Sequence, residues 1–397
     1  MRLLALLLLA CLALASAAED RRATPAREVA AHLLAAYVFV HGGSGVVVSA
    51  DGLVLTNHHV IDGEPVDQLE VRYAGGRSLP ADLLGTDPVG DIALLRIREP
   101  GVRPYVPFAP TSAIRPGMTV FAVGNPWGLG DVDGIPTLTR GVLSTPRIVR
   151  DDYTDALQVD APVNPGNSGG PSFDEAGRLL GINGQIRTLS GMRVNSGVGL
   201  AICATQLQAF LPLLREAGGG YVHHTTKPKG LILADRADGI EVVEPGEGVP
   251  LVAGDRLLAI AGRPAVSLAT VDGLFESLPY TPGCTIGVRV RTTAGNDEDR
   301  VVPAGRRTIP GRPWHGLAVA QRGEALAVEH VDPNSPAAGA EIRAGEVVVA
   351  ANGRALLRKL DFLKAQVKLE IGDRLELTLR DATGKERLVK LLLRMRE

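Results

Sequence analysis

The sequence predicts a mostly β chain of more than one domain, an antiparallel barrel or sandwich followed by two copies of a smaller module. Three observations lead there. At 397 residues the chain exceeds one ordinary domain. Its 47 glycines and 27 prolines supply the turns between short apolar runs. Its last part repeats itself, as set out below.

Taken in order, residues 1–18 read as a secretory signal. Arg2 is followed by an apolar run from Leu3 to Leu14, and Ala15-Ser16-Ala17 has the small-x-small pattern of a cleavage site. A lipoprotein signal at Cys11 and a retained anchor are the rival readings. Residues 19–217 form the first domain. Its strand-like runs include Gly45 to Ser49, Gly52 to Leu55, Ile92 to Ile97, Thr119 to Val123 and Leu179 to Ile182. A helix over Thr205 to Glu216 follows, with Leu207, Phe210, Leu211 and Leu214 at helical spacing, Thr205 as the expected cap and Pro212 as a bend. Residues 218–229, GGGYVHHTTKPK, have linker composition, which places His223 and His224 in solvent.

The repeat comes next. Gly230 to Val266 parallels Gly316 to Leu356, Gly230 matching Gly316, Gly254 matching Gly345, and Gly262-Arg263 matching Gly353-Arg354, which gives two modules over residues 230–306 and 307–397. Each copy then carries a strand-like segment, Thr285 to Arg291 and Arg374 to Arg380.

Composition excludes several classes. Forty-two basic against 44 acidic residues leave no electrostatic footprint for nucleic acid. Cys203 and Cys284, left after signal removal, fall in different domains and form neither a disulfide framework nor a zinc pattern. No phosphate-binding GxxxxGK[ST] loop occurs, so no nucleotide is expected, and no other cofactor is indicated.

Asn164 to Pro171, NPGNSGGP, is the sharpest local feature. A serine nucleophile needs backbone N–H groups aimed at a developing oxyanion, and glycines allow the tight turn that aims them. Gly166, Asn167 and Ser168 form that candidate oxyanion site, with Gly166 and Ser168 as the donors and Ser168 as the hydroxyl. A plain turn between strands is the competing reading. A serine also needs a base and an acid to orient it. Upstream, LTNHHV presents His58 and His59, and Asp91 opens the apolar run IALLRI, where a buried carboxylate requires a partner. Asp62, Asp67, Asp82 and Asp87 compete for the acid role. The order His, Asp, Ser along the sequence is that of chymotrypsin-type triads.

With these motifs the protein resembles the HtrA (Do-like, Deg) serine proteases. VLTNHHV is similar to the family's strand plus TNxHV, DIALLRI to its D[IL]AxLxI, and VDAPVNPGNSGGP to its nucleophile segment. GNPWGLG (Gly124 to Gly130) is similar to its activation loop, and GVGLAI (Gly197 to Ile202) to its pocket wall. The resemblance covers nearly all of the mature protein. It implies a chymotrypsin-like double β-barrel protease domain followed by two PDZ (α+β) domains.

The resemblance also implies roles. His59, in the fixed slot of TNxHV, is the general base, Asp91 its orienting acid and Ser168 the nucleophile, while His58 is a bystander at the rim. Val163, Leu200 and Ile202 line a pocket for small aliphatic side chains. Asn167, standing where trypsin-like zymogens carry Asp, removes activation by a new N-terminus. Loop ordering at Gly124 to Gly130 and around Asp151 to Asp155 takes its place. In the second module, Gly316, Leu317, Ala318 and Val319 hold a peptide C-terminus. The first module lacks the SPAAxAGL segment over Gly246 to Asp255, which makes it a degenerate PDZ domain.

The expected function is ATP-independent degradation of unfolded or damaged proteins in the periplasm by homotrimers or multiples of trimers, with Ala30 to Val40 packing at the assembly contact. A regulatory processing protease for a few partners, and a chaperone or PDZ binding protein with a silent protease fold, are the alternatives.

Overall fold

The computed structural model describes residues 30–395 apart from 32, 151–152, 187–195, 312 and 324. The expected signal segment, Cys11, and Asp151 and Asp152 of the expected activation stretch therefore lie outside the described residues. The protein divides into two units, residues 1–86 with 90–216, and 87–89 with 217–397.

In the first unit, strands β1 (Tyr37–Val40), β2 (Gly43–Val47), β3 (Leu53–Thr56), β4 (Glu70–Tyr73), β5 (Ser78–Asp87) and β6 (Ile92–Ile97) pair antiparallel in the order β5-β4-β1-β2-β3-β6. β5 also pairs with β6, which closes the barrel and leaves no free edge. Val38, Val40, Val47, Val54, Val71 and Leu95 fill its core. The residues of Ala30 to Val40 are largely committed here: Leu33, Ala36 and Tyr37 are fully buried, and β1 is a barrel strand.

The second barrel comprises β7 (Thr119–Gly124), β8 (Thr137–Arg150), β9 (Tyr153–Val159), β10 (Pro171–Phe173), β11 (Leu179–Ile186) and β12 (Gly199–Cys203), closed in the order β10-β11-β12-β9-β8-β7. Val120, Leu143, Leu157, Val159, Leu180 and Ala201 line its interior. Helix α1 (Ala204–Glu216) ends the unit and carries Pro212 inside it. The helix starts one residue before the expected Thr205 cap. Thr205 therefore lies inside the helix, and its hydroxyl lies 3.0 Å from that of Thr111.

The second unit contains the repeat as two sheets of one design. Strands Ile232–Arg236, Gly239–Glu244, Arg256–Ile260, Thr285–Arg291 and Asp297–Pro303 pair in sequence, with Arg263–Pro264 beside the third. Leu317–Arg322, Ala325–Val331, Val347–Ala351, Arg374–Arg380 and Glu386–Leu392 repeat that order, with Arg354–Ala355 beside the third. The copies differ where the sequence differs. Ser335 caps a short helix over Pro336–Gly339 in the second, accepting the Ala338 N–H at 3.1 Å, while Gly246 to Asp255 of the first holds no helix.

One expectation about the linker is overturned. His224 is not solvated but 0% exposed: its Nε2 lies 2.7 Å from Asp87 Oδ2 and its Nδ1 2.6 Å from the Glu276 carbonyl. Polar composition marked a linker, but hydrogen-bond partners at both ring nitrogens hold this histidine away from solvent.

Candidate active site

The turn after β3 carries the histidine pair. Asn57 is extended (φ −81°, ψ 152°), and a single helical turn over His58–Ile61 follows. That turn sends the two imidazoles apart. His58 is 8% exposed, not at a rim, and its Nδ1 lies 2.8 Å from Thr86 Oγ1. The His59 side chain is half exposed, and its Nδ1 lies 2.9 Å from both carboxylate oxygens of Asp91. The His59 backbone N–H also donates to Asp91 Oδ1 at 3.0 Å. A carboxylate only accepts, so Nδ1 carries a proton.

Asp91 sits immediately before β6 with a left-handed backbone, φ 57°, which a residue with a Cβ adopts at a cost. The Asn57 amide offsets that cost by donating to the Asp91 carbonyl at 2.9 Å. Of the competing acids, Asp87 is taken by His224, and Asp82 pairs with Arg98. Asp62 stands 3.7 Å from His58 Nε2.

Ser168 lies on the turn between β9 and β10. Gly166 has φ 98°, and a Cβ there would stand 2.0 Å from the Asn125 carbonyl, so only glycine fits. The Pro165 carbonyl accepts the Trp127 N–H at 2.8 Å, which turns the Gly166 N–H to the opposite side of that trans peptide. Gly166 N–H and Ser168 N–H have no partner among the described residues. The Asn167 N–H is different, being donated to the Asn164 carbonyl at 3.0 Å. Of the three residues expected around the oxyanion, Asn167 is therefore not a donor.

Close packing brings the serine turn against the histidine turn. A Cβ on Gly169 would lie 2.3 Å from Thr56 Oγ1 and 2.9 Å from Asn57 N. Ser44 N–H donates to the Ser168 carbonyl at 2.9 Å, and the Ser44 hydroxyl donates to the Gly166 carbonyl at 2.8 Å. Thr56 Oγ1 in turn donates to the Ser44 carbonyl at 2.7 Å. The Ser168 hydroxyl itself donates to the Gly184 carbonyl at 3.4 Å. Sequence reasoning missed Ser44, whose only local sign is its place between Gly43 and Gly45.

The remaining candidates divide by strand alternation. Leu200 and Ile202 share one face of β12, opposite Ala201 and Cys203 in the barrel core. Both are buried, as is Val163, which packs with Ala122 and Ala161. The Gly124 to Gly130 segment forms a tight turn: Trp127 is left-handed at φ 58°, and Asn125 Oδ1 accepts the Gly130 N–H at 2.8 Å. In the second repeat, Gly316 has φ 77°, Val319 is buried and Ala318 is exposed. The Leu317 N–H donates to His315 Nδ1 at 2.9 Å, and His315 Nε2 meets Gln366 Oε1 at 2.9 Å.

Comparison with known proteins follows the same outline. The trypsin-like peptidase domain family matches residues 43–182, the PDZ domain family 284–391 and peptidase S46 residues 18–64. A probable periplasmic serine endoprotease DegP-like of Bartonella henselae is 32% identical over 353 residues, covering 80% of this chain and 68% of that protein. Periplasmic serine endoprotease DegP of Escherichia coli is 28% identical over 341 residues, covering 80% and 70%. Among solved structures, the HtrA-type protease AlgW with tripeptide matches with a TM-score of 0.54 at 29% identity, covering 71% of this chain and 97% of that one. The chain is a serine endopeptidase and belongs to the HtrA family of serine proteases.

Proposed function

We propose that the protein is an ATP-independent periplasmic endopeptidase that degrades unfolded or damaged proteins, with His59, Asp91 and Ser168 as its triad. The observation that carries the reading is the His59–Asp91 pair, in which Nδ1 meets the carboxylate, on a turn packed against the NPGNSGGP turn. In this reading Nε2 takes the proton of Ser168 as its oxygen attacks the scissile carbonyl. Asp91 holds the tautomer and balances the imidazolium. The N–H groups of Gly166 and Ser168 receive the oxyanion, and His59 returns the proton to the leaving amine.

Val163, Leu200 and Ile202 bring no charge to the pocket, which favours small aliphatic side chains before the cleaved bond. The C-termini of substrates add to the second PDZ-like module. Leu317–Arg322 is the edge strand of its sheet, and strand addition there suits an extended peptide. The peptide carboxylate meets the loop from Gly316 to Val319, where His315 already occupies the Leu317 donor. The periplasmic placement rests on the names of the relatives, and the homotrimer or multiple of trimers on family membership.

The test uses purified mature protein and a Ser168→Ala variant, each with an unfolded casein-type substrate and with a folded one. Wild type is expected to cut the unfolded substrate preferentially, and the variant to lose about a hundredfold or more. Equal inertness of wild type and variant overturns the protease reading. Cleavage of a single native partner favours the processing alternative.

A further inference from the structure

We propose that Tyr153 is a positioning residue of the active site, its hydroxyl fixing the Asp91 carboxylate in the plane of the His59 imidazole. The proposal rests on the triad reading above and deepens it.

The geometry is specific. Tyr153 opens β9 and is 1% exposed, and its hydroxyl donates to Asp91 Oδ2 at 3.0 Å. The other carboxylate oxygen accepts the His59 backbone N–H, and both oxygens face His59 Nδ1. Without the phenol, the histidine turn alone would direct the carboxylate. With it, Oδ2 is held from the second barrel while Oδ1 is held from the first. This matters because the Asp91 backbone is left-handed and so provides a strained base for its side chain.

The phenol has been given room. A Cβ on Gly184 would lie 2.2 Å from the Tyr153 hydroxyl oxygen and 2.8 Å from Cζ, so the ring passes where a side chain would stand. Gly184 falls in the irregular stretch of the β11–β12 ladder between Asn183 and Ile186, and its carbonyl accepts the Ser168 hydroxyl. One tyrosine therefore reaches the acid and packs on the residue whose carbonyl receives the nucleophile. A buried phenol needs an acceptor in any fold, but that need does not select the orienting carboxylate. As a neutral donor it supports the carboxylate without adding a charge that would compete with the imidazolium.

Tyr153→Phe removes one oxygen and keeps the ring. With the melting midpoint near wild type, kcat is expected to fall about tenfold, the size of a lost hydrogen bond to a charged group, with KM within about twofold. More negative charge then faces His59, so the acid limb of kcat/KM moves to higher pH. Site-specific 3-fluorotyrosine at position 153 keeps the shape and strengthens the donor, which moves that limb to lower pH. The fluorinated protein also covers the case in which Tyr153→Phe fails to fold. Unchanged kcat and acid limb in a folded Tyr153→Phe, or an unmoved limb in the fluorinated protein, overturn the proposal. If Ser168→Ala is inert in the same assay, that failure leaves the triad standing. A fully active Ser168→Ala overturns the triad and this proposal together.

Discussion

The Asn57 side-chain amide donates to the backbone carbonyl of Asp91 at 2.9 Å, joining the residue before the histidine turn to the residue before β6. Asp91 has φ 57°, and Asn57 is fully buried. An amide on the motif Thr-Asn-x-His thereby supports a strained aspartate 34 residues away. Asn57→Ala is expected to lower kcat with little change in KM and to cost about 1–2 kcal/mol of stability. Steady-state kinetics beside urea denaturation check both, and wild-type kcat would remove this support role.

The two adjacent histidines separate in a second test. His59→Ala removes the proposed base and is expected to abolish turnover. His58→Asn keeps most of the activity, but it exchanges a buried ring bonded to Thr86 and lowers stability by about 1 kcal/mol. A casein assay and a thermal melt on both variants check the division. A His58→Asn protein as inert as His59→Ala would contradict it.

Gly166 leaves no room for a methyl group, since a Cβ would meet the Asn125 carbonyl at 2.0 Å in a left-handed backbone. Gly166→Ala therefore shifts the donor turn, and the expected loss in kcat is about a hundredfold or more with the barrels still folded. Circular dichroism with active-site labelling by a fluorophosphonate reads the two effects separately.

His315 carries a pH dependence. Burial pushes its pKa below the ordinary 6.5, with Gln366 partly opposing the shift. The unfolded protein then binds the proton more readily than the folded one, so stability is fully present above pH 6.5 and is lost as pH falls through the folded value. In a Trp127→Phe background, Trp314 fluorescence reports the second module. Its urea midpoint is expected to fall below pH 6.5, and to fall less in a His315→Gln variant. His223, also shifted down by burial, contributes with the same sign.

Cys203 should be chemically silent. Burial pushes its thiol up to about 11, whereas Cys284 is partly exposed. Iodoacetamide at pH 8 on the native protein is expected to label Cys284 and to spare Cys203 until denaturant is added, as peptide mass spectrometry would show.

Much of the fold was legible in the residues. IALLRI, TIGVRVR and RLELTLR carry the alternation or continuous burial of strands, and they form strands over the expected residues. The repeat was legible too, since two similar segments bury similar faces. Local pattern failed where a polar residue met a distant partner: His224 in a linker-like run, His58 beside His59, and Thr205 at the helix start. In each case a long-range hydrogen bond replaced the solvent or local contact that composition suggests.

For the candidate active site the sequence by itself determined which residue types stand in which order, because the spacing of Thr56, Asn57, His59, Asp91 and Ser168 is written along it. Only the tertiary structure decided that the Asn167 N–H is committed to Asn164, that Ser44 braces the serine turn, and that Tyr153 reaches Asp91 across 62 positions. Strand periodicity records which face of a strand is buried. It does not encode which buried donor meets which acceptor, because that follows from how two closed barrels are packed.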